Sequence, residues 1–180
     1  MKKTLLLFAH PAMEKSRANA ALLEAVRDLD HVTVNDLYAE YPDFLINVDR
    51  EQELLEKHER IVIQHPFFWY STPAIMKEWF DLVLEYGWAY GDEGNALQGK
   101  TVLTAMTTGG GKSAYCPQGY NQFTIEEFLR PAEQTARLCQ MKYEKPFVVY
   151  GSLQLSPDDL NKACSEYREI LTSTPRIDGV

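Results

Sequence analysis

Residues 4–9 read Thr4-Leu5-Leu6-Leu7-Phe8-Ala9, and His10-Pro11-Ala12-Met13-Glu14-Lys15-Ser16-Arg17-Ala18-Asn19 follows directly. An apolar run with no alternation marks a strand covered on both faces, because a half-solvated strand would alternate with polar residues. Lys2 and Lys3 before it resemble the start of a leader peptide. The run is too short for a leader's apolar region and ends at His10-Pro11. Beyond the loop the period changes. Ala20, Leu22, Leu23, Val26 and Leu29 recur at helical spacing and predict a helix over 16–29. A buried strand, a loop and a helix make the first unit of a parallel α/β sheet.

The unit recurs along the chain. Strands are expected at 32–35, 60–64, 101–106 and 147–150, from short β-branched or apolar runs. A helix is expected at 49–57, with Glu and Gln in its first turn. Ser71-Thr72-Pro73 predicts the next helix start, with a hydroxyl N-cap and proline at the first helical position. That helix carries Ile75, Met76, Trp79, Phe80, Val83 and Leu84 and ends near Gly87. Thr124 with Glu127 forms a capping box, and Pro131 should bend or split the helix it opens. Ser156-Pro157 begins the last helix. Five strands alternating with helices force parallel pairing through right-handed crossovers. The expected architecture is an α/β, flavodoxin-like, doubly wound, five-stranded parallel sheet in the order 2-1-3-4-5. A six-stranded dinucleotide-binding sheet would be short of chain.

A length of 180 residues fits a single domain spanning 1–180. Such a chain buries about 70% of its unfolded surface and needs no disulfide or metal to hold a core. The net charge of −8 argues against nucleic acid and anionic membranes as main partners. Cys116, Cys139 and Cys164 form no CxxC pair, and their odd number points to a reducing, cytoplasmic location. No metal site is expected. No stretch approaches the ~20 apolar residues of a membrane span. The charged run 51–60 reads most simply as a solvated helix face.

In this strand order ligands bind where the first and third strands diverge, at their carboxyl ends. The unusual loops sit there. Ser16, Arg17, Ala18 and Asn19 at a helix start would form an anion site, unless Ser16 is only an N-cap. Phe67-Phe68-Trp69-Tyr70 offers stacking surface for a flat aromatic ligand; core or dimer packing is the alternative. Thr107-Thr108-Gly109-Gly110-Gly111 allows close backbone approach, and the Gly109 and Gly110 N–H groups suit a carbonyl or a developing anion. Gly111-Lys112-Ser113 fails as a phosphate-binding P-loop, because the first glycine would have to stand at Met106. Gly109-x-Gly111-x-x-Ala114 follows the fourth strand rather than the first, which counts against a pyrophosphate turn. Cys116 beside Tyr115 reads as an inert thiol or a nucleophile, with no partner assignable.

Six motifs in order resemble one family. They are Ala9-His10-Pro11 with Ser16 and Asn19; Asp36-Leu37-Tyr38 with Tyr41-Pro42-Asp43-Phe44; and Gln64-His65-Pro66 with Trp69-Tyr70-Ser71. Pro73-Ala74 with Lys77-Glu78-Trp79, Gly87-Trp88-Ala89-Tyr90-Gly91 and Thr107-Thr108-Gly109-Gly110 complete them. Over nearly its whole length the chain resembles the flavodoxin-like NAD(P)H quinone oxidoreductases of the DT-diaphorase and modulator of drug activity B type. Within that group it is most similar to the ancillary flavoproteins of glutathione-regulated potassium-efflux systems.

The resemblance implies a bound flavin with NADH or NADPH as hydride donor; the compact chain, which adds no evident adenine pocket, favours FMN, with FAD as the alternative. The resemblance assigns His10, Ser16, Arg17, Ala18 and Asn19 to the cofactor's phosphate and ribityl side. Phe67, Phe68, Trp69 and Tyr70 fall along its ring, and Thr107, Thr108, Gly109 and Gly110 on the ring's pyrimidine edge. Tyr115 falls near both the cofactor and the substrate, and Tyr115, Gly109 and Gly110 are the expected catalytic residues. Asn121 stands where related enzymes carry a histidine, which departs from a tyrosine–histidine relay. The implied activity is two-electron, ping-pong reduction of quinones in a homodimer. The implied alternative is a regulatory subunit that binds and activates a potassium-efflux transporter, at the inner face of the membrane.

Overall fold

The structure, a computed structural model, describes residues 1–177; positions 178–180 of the expected 1–180 span lie outside the described residues. Its centre is a parallel sheet. Strand β1 (Thr4–Phe8) lies between β2 (Val32–Asp36) and β3 (Arg60–Pro66), and β3 pairs with β4 (Thr101–Thr107). Alternate residues of β1 enter opposite cores. Leu5, Leu7 and Ala9 pack with Ile61, Ile63 and Val102 on one face; Leu6 and Phe8 pack with Val62, Leu103 and Ala105 on the other. The whole run is buried, which is why its sequence shows no alternation.

Helix α1 (Arg17–Glu24) covers the second face with the C-terminal helix. The first face carries α2 (Leu37–Glu40), α3 (Val48–Lys57), α4 (Ala74–Val83), α5 (Ile125–Phe128) and α6 (Arg130–Leu138). The fifth strand comes in two pieces, β5 (Lys142–Tyr143) and β6 (Phe147–Val149), both paired parallel to β4. The strand order is therefore 2-1-3-4-5, with the fifth position interrupted at Glu144-Lys145-Pro146. Pro146 has no N–H for the ladder, and Glu144 turns inward. The last helix, α7 (Pro157–Thr172), is capped by the Ser156 hydroxyl, which accepts from the Asp159 N–H at 3.1 Å.

Several boundaries differ from expectation. Helix α1 stops at Glu24 rather than near Leu29. Arg168 donates to the Ala25 carbonyl at 2.6 Å, and the Val26 and Leu29 N–H groups bond three residues back. Val26 stays fully buried in this tighter turn, so the apolar spacing outlasts the helix. Helix α4 begins at Ala74 with Pro73 as its cap residue, because Ser71 is engaged in the preceding turn. The capping box at Thr124 is present, and the helix divides at Leu129, ahead of Pro131.

The reading of 51–60 as a solvated face is corrected. Glu53, Glu56, Lys57 and Glu59 are exposed, but Glu51 and Arg60 face inward. The Glu51 carboxylate accepts from Asn35 (2.7 Å), Tyr41 (2.6 Å), Trp79 (2.8 Å) and Arg50 (2.5 Å). Burial, reinforced by Glu51, pushes the Tyr41 phenol up to about 12. Arg60 grips Glu144 through two bonds of 2.9 and 2.6 Å and donates to the Ile170 carbonyl at 2.9 Å. Charges tolerate such depth only when paired and hydrogen-bonded.

Candidate functional site

Three loops meet at the carboxyl ends of β1, β3 and β4. The first delivers the chain to α1 through Ser16, whose side chain makes no capping bond. The N–H groups of Arg17, Ala18 and Asn19 have no acceptor among the described residues, as a first helical turn leaves them. The Arg17 guanidinium bonds the Leu155 carbonyl and ties this corner to the segment before α7. His10 accepts the Ala12 N–H on Nδ1 at 3.1 Å, so its proton sits on Nε2. Burial lowers its pKa, against the pull of Glu14.

Asn19 is buried and fixes the spacing between two loops. Its side-chain amide donates to Thr107 Oγ1 at 2.9 Å, and its backbone carbonyl accepts from Gln64 Nε2 at 3.0 Å. Gln64 in turn accepts from the Tyr167 hydroxyl at 3.0 Å. Asn19 Oδ1 has no partner among the described residues.

The aromatic loop is a two-residue hairpin. The Phe68 N–H donates to the Ser71 carbonyl at 3.2 Å and the Ser71 N–H to the Phe68 carbonyl at 2.9 Å. Between them Trp69 (φ 48°) and Tyr70 (φ 63°) both lie in the left-handed region. Such turns normally carry Asn-Gly, and each ordinary residue there costs ~1–2 kcal/mol. The turn leaves Trp69 93% exposed and sets Phe68 edge-on to His10, with ring centres 5.9 Å apart. Phe67 and Tyr70 point the other way. Tyr70 stacks on Phe128 at 5.2 Å, and Phe67 meets the same ring at 5.5 Å. The four aromatics thus divide by contact: Phe67 and Tyr70, the latter itself 49% exposed, pack on Phe128, and Phe68 and Trp69 lie apart from that ring.

The third loop is clamped from behind. The Phe67 N–H reaches the Thr107 carbonyl at 2.8 Å. The Thr108 hydroxyl donates to the Gly110 carbonyl at 2.8 Å, and Gly151 and Ser152 donate to the Gly110 and Thr108 carbonyls. The Gly109 and Gly110 N–H groups have no acceptor among the described residues. A side chain at Gly109 would enter open space; one at Gly110 would lie 3.2 Å from the Tyr115 ring. Tyr115 packs against Phe67 and Tyr150, with ring centres 6.1 and 5.9 Å away. Asn121 meets Tyr70, whose hydroxyl it accepts at 3.3 Å, and not Tyr115. Cys116 turns its sulfur to the Ser113 carbonyl at 3.5 Å.

The arrangement fits a planar, phosphorylated group. Among the described residues, N–H donors without acceptors and a Ser16 hydroxyl without a partner stand at the α1 end, N–H donors without acceptors at the Gly109 end, and flat aromatic surface beside them. The buried, unpartnered Asn19 Oδ1 lies between the α1 and β4 loops, where a ligand hydroxyl could satisfy it. The bracing roles of Gln64, Phe128 and Tyr150 were not expected. Gln64, a polar residue closing an apolar strand, was the one readable signal among them.

A family model described as the flavodoxin-like fold (Flavodoxin_2) matches residues 2–171. The glutathione-regulated potassium-efflux system ancillary protein KefG of Pectobacterium carotovorum is 48% identical over 171 residues, 95% of this chain and 93% of that one. Three solved structures superpose closely. A chain described as a thermophilic tryptophan halogenase from Streptomycin violaceusniger is 40% identical (TM-score 0.92, covering 95% of this chain and 99% of that chain). General stress protein 14 of Treponema denticola, in complex with FMN, is 37% identical (TM-score 0.90, 94% and 97%). An NADPH-quinone reductase from P. pentosaceus is 31% identical (TM-score 0.88, 96% and 99%). These descriptions name different activities; the fold is what they share with this chain.

Proposed function

The chain belongs to the flavodoxin-like fold family matched over residues 2–171, and from that premise we propose that residues 1–180 form one FMN-binding domain that reduces quinones with NAD(P)H. The observation that carries the reading is the pairing of two unsatisfied N–H arrays, at Arg17–Asn19 and at Gly109–Gly110, beside the open Phe68–Trp69 surface. The FMN complex of the 37% identical relative and the quinone reductase at 31% identity support it.

In this reading the Ser16 hydroxyl and the N–H groups of Arg17, Ala18 and Asn19 hold the phosphate, and the His10 Nε2–H adds a donor. FMN, when bound, supplies two-electron hydride chemistry between NADH or NADPH and the quinone; FAD is the alternative. Phe68 and Trp69 flank the ring, braced by Phe67 and Tyr70. Thr107 and Thr108 fix the loop that aims the Gly109 and Gly110 N–H groups at the ring edge where negative charge gathers. A preorganised donor of this kind is worth ~3–4 kcal/mol. Tyr115, held against Gly110, hydrogen-bonds the quinone oxygen. A second copy of the chain closes the cleft over Phe68, Trp69, Tyr120 and Phe123, all exposed in one copy.

Purified protein should be yellow and release FMN, and steady-state rates with NAD(P)H and a small quinone should give parallel double-reciprocal lines. A colourless preparation that cannot be reconstituted would end the proposal, and intersecting lines would end its ping-pong form.

A second reading rests on the 48% identity to the potassium-efflux ancillary protein. In it the chain is a cytoplasmic regulatory subunit that docks on a transporter at the inner membrane face. No helix among the described residues is long and apolar enough to cross a membrane, so the spanning part would be another chain. Retention of the protein on vesicles carrying the cognate transporter, and not on empty vesicles, tests it.

A further inference from the structure

A cavity of about 440 Å³ opens between α4 and α6, on the sheet face opposite α1 and α7. Its floor is Ile63 and His65 of β3 with Val102 and Thr104 of β4; Phe80, Leu84 and Met141 line its walls. The volume falls in the range of small-molecule sites. Lys77 and Asp81 at its rim neutralise each other in an ion pair.

The floor is not wholly apolar. His65 is 2% exposed. Its Nδ1 lies 2.9 Å from the Pro66 carbonyl, which can only accept, so Nδ1 carries the proton. Nε2 is therefore a lone-pair acceptor, and it has no partner among the described residues. Burial drives the His65 pKa down to about 4, so the ring is neutral at ordinary pH. Beside it, Thr104 Oγ1 and the Tyr143 hydroxyl share one hydrogen bond of 3.0 Å. Two hydroxyls sharing one bond keep capacity for a further one. Nε2 is not among the buried unpartnered atoms, so it stays accessible, and a ligand hydroxyl donating to it gains its hydrogen bond in an apolar, low-dielectric surround.

We propose that this cavity is a binding site, distinct from the candidate cofactor cleft, for a neutral aromatic molecule carrying a phenolic hydroxyl that donates to His65 Nε2. The apolar walls take the ring system. The uncharged imidazole and the self-neutralised rim give a carboxylate or an ammonium no counter-charge, so ionic analogues are excluded by desolvation. Phe67 and Tyr70, which brace the aromatic turn, also line the cavity, so an occupant would press on the back of that turn. The proposal does not depend on what the cleft binds.

Calorimetric titration of the full chain with 2-naphthol and with 2-methoxynaphthalene tests it. The naphthol should bind at least roughly fivefold more tightly, the equivalent of about 1 kcal/mol for the donor. His65→Phe should erase the preference by removing the acceptor. Ala132→Phe, which fills the cavity from α6 and leaves the cofactor loops untouched, should abolish both isotherms. Should His65→Phe fail to fold, the long-range ¹H–¹⁵N NMR signal of His65 Nε2 in the unsubstituted chain must shift with naphthol and not with its ether. Equal affinity for the two ligands, no binding, or binding undiminished in Ala132→Phe would overturn the proposal.

Discussion

Replacing Trp69 with glycine should make the protein more stable and worse at holding its cofactor. The indole is 93% exposed, so its removal forfeits almost no packing. Its backbone sits at φ 48°, where an L-residue costs ~1–2 kcal/mol and glycine costs little. Glycine's greater freedom in the unfolded chain returns ~0.5–1 kcal/mol of that. The net gain is about 0.5–1 kcal/mol, which for a chain of this size raises Tm by roughly 1–4 °C. Thermal unfolding followed by circular dichroism on flavin-free protein reads this directly. Tyr70→Gly is the internal control. It relieves the same strain at φ 63° but loses the stack on Phe128, so it should lower Tm. In a fluorescence titration with FMN, Trp69→Gly should bind roughly two- to tenfold more weakly, the worth of one aromatic contact. A lower Tm for Trp69→Gly would refute the claim that the turn is strained. Unchanged FMN affinity would refute the claim that the strain serves ligand binding.

A Cβ at Gly109 meets no atom of the chain within 4 Å and no left-handed backbone, so Gly109→Val should leave Tm within about 2 °C. The added methyls enter the cleft, and FMN affinity should fall roughly tenfold or more; normal flavin retention after gel filtration would show that the loop has been misplaced. Glu144→Ala strands the buried Arg60 guanidinium and should cost about 3–5 kcal/mol in a urea melt. His65 has a folded pKa of about 4, below its unfolded value near 6.5. The unfolded chain therefore takes up the proton first, and stability should decline by up to about 3 kcal/mol as pH falls from about 6.5 to 4. His65→Gln should flatten that part of the stability–pH curve, and an unaltered slope would contradict the assignment.

Strand order was readable because it follows from burial. A run such as Leu5–Ala9 has to be covered on both sides, and helical crossovers then fix parallel pairing. The ends of elements were less readable, because distant partners set them. Arg168 of α7 reaches the carbonyl that closes α1, and the turn at Trp69-Tyr70 takes Ser71 away from α4. Glu51 looked solvated because its donors Asn35, Tyr41 and Trp79 lie on three other elements. The candidate loops were legible from fold topology, as ligand-binding loops of this architecture have fixed addresses. The division of the aromatic run was not, since it depends on Phe128, some sixty residues away along the chain. The cavity over His65 left no trace in the sequence; it arises from the gap between two helices.

The gap in the fifth strand bears on how this chain can join others. An unbroken outer strand offers its amides to any passing extended peptide, which is how sheets grow from one molecule into the next. Here the ladder halts at Glu144-Lys145-Pro146. The Lys145 N–H is taken by the Arg176 carbonyl at 3.0 Å, and Ile177 bridges antiparallel to Glu144. At that margin the tail of the chain already occupies the place a foreign strand would need. Recruitment by strand addition is blocked there, and a partner arriving from that side must engage helices or loops instead.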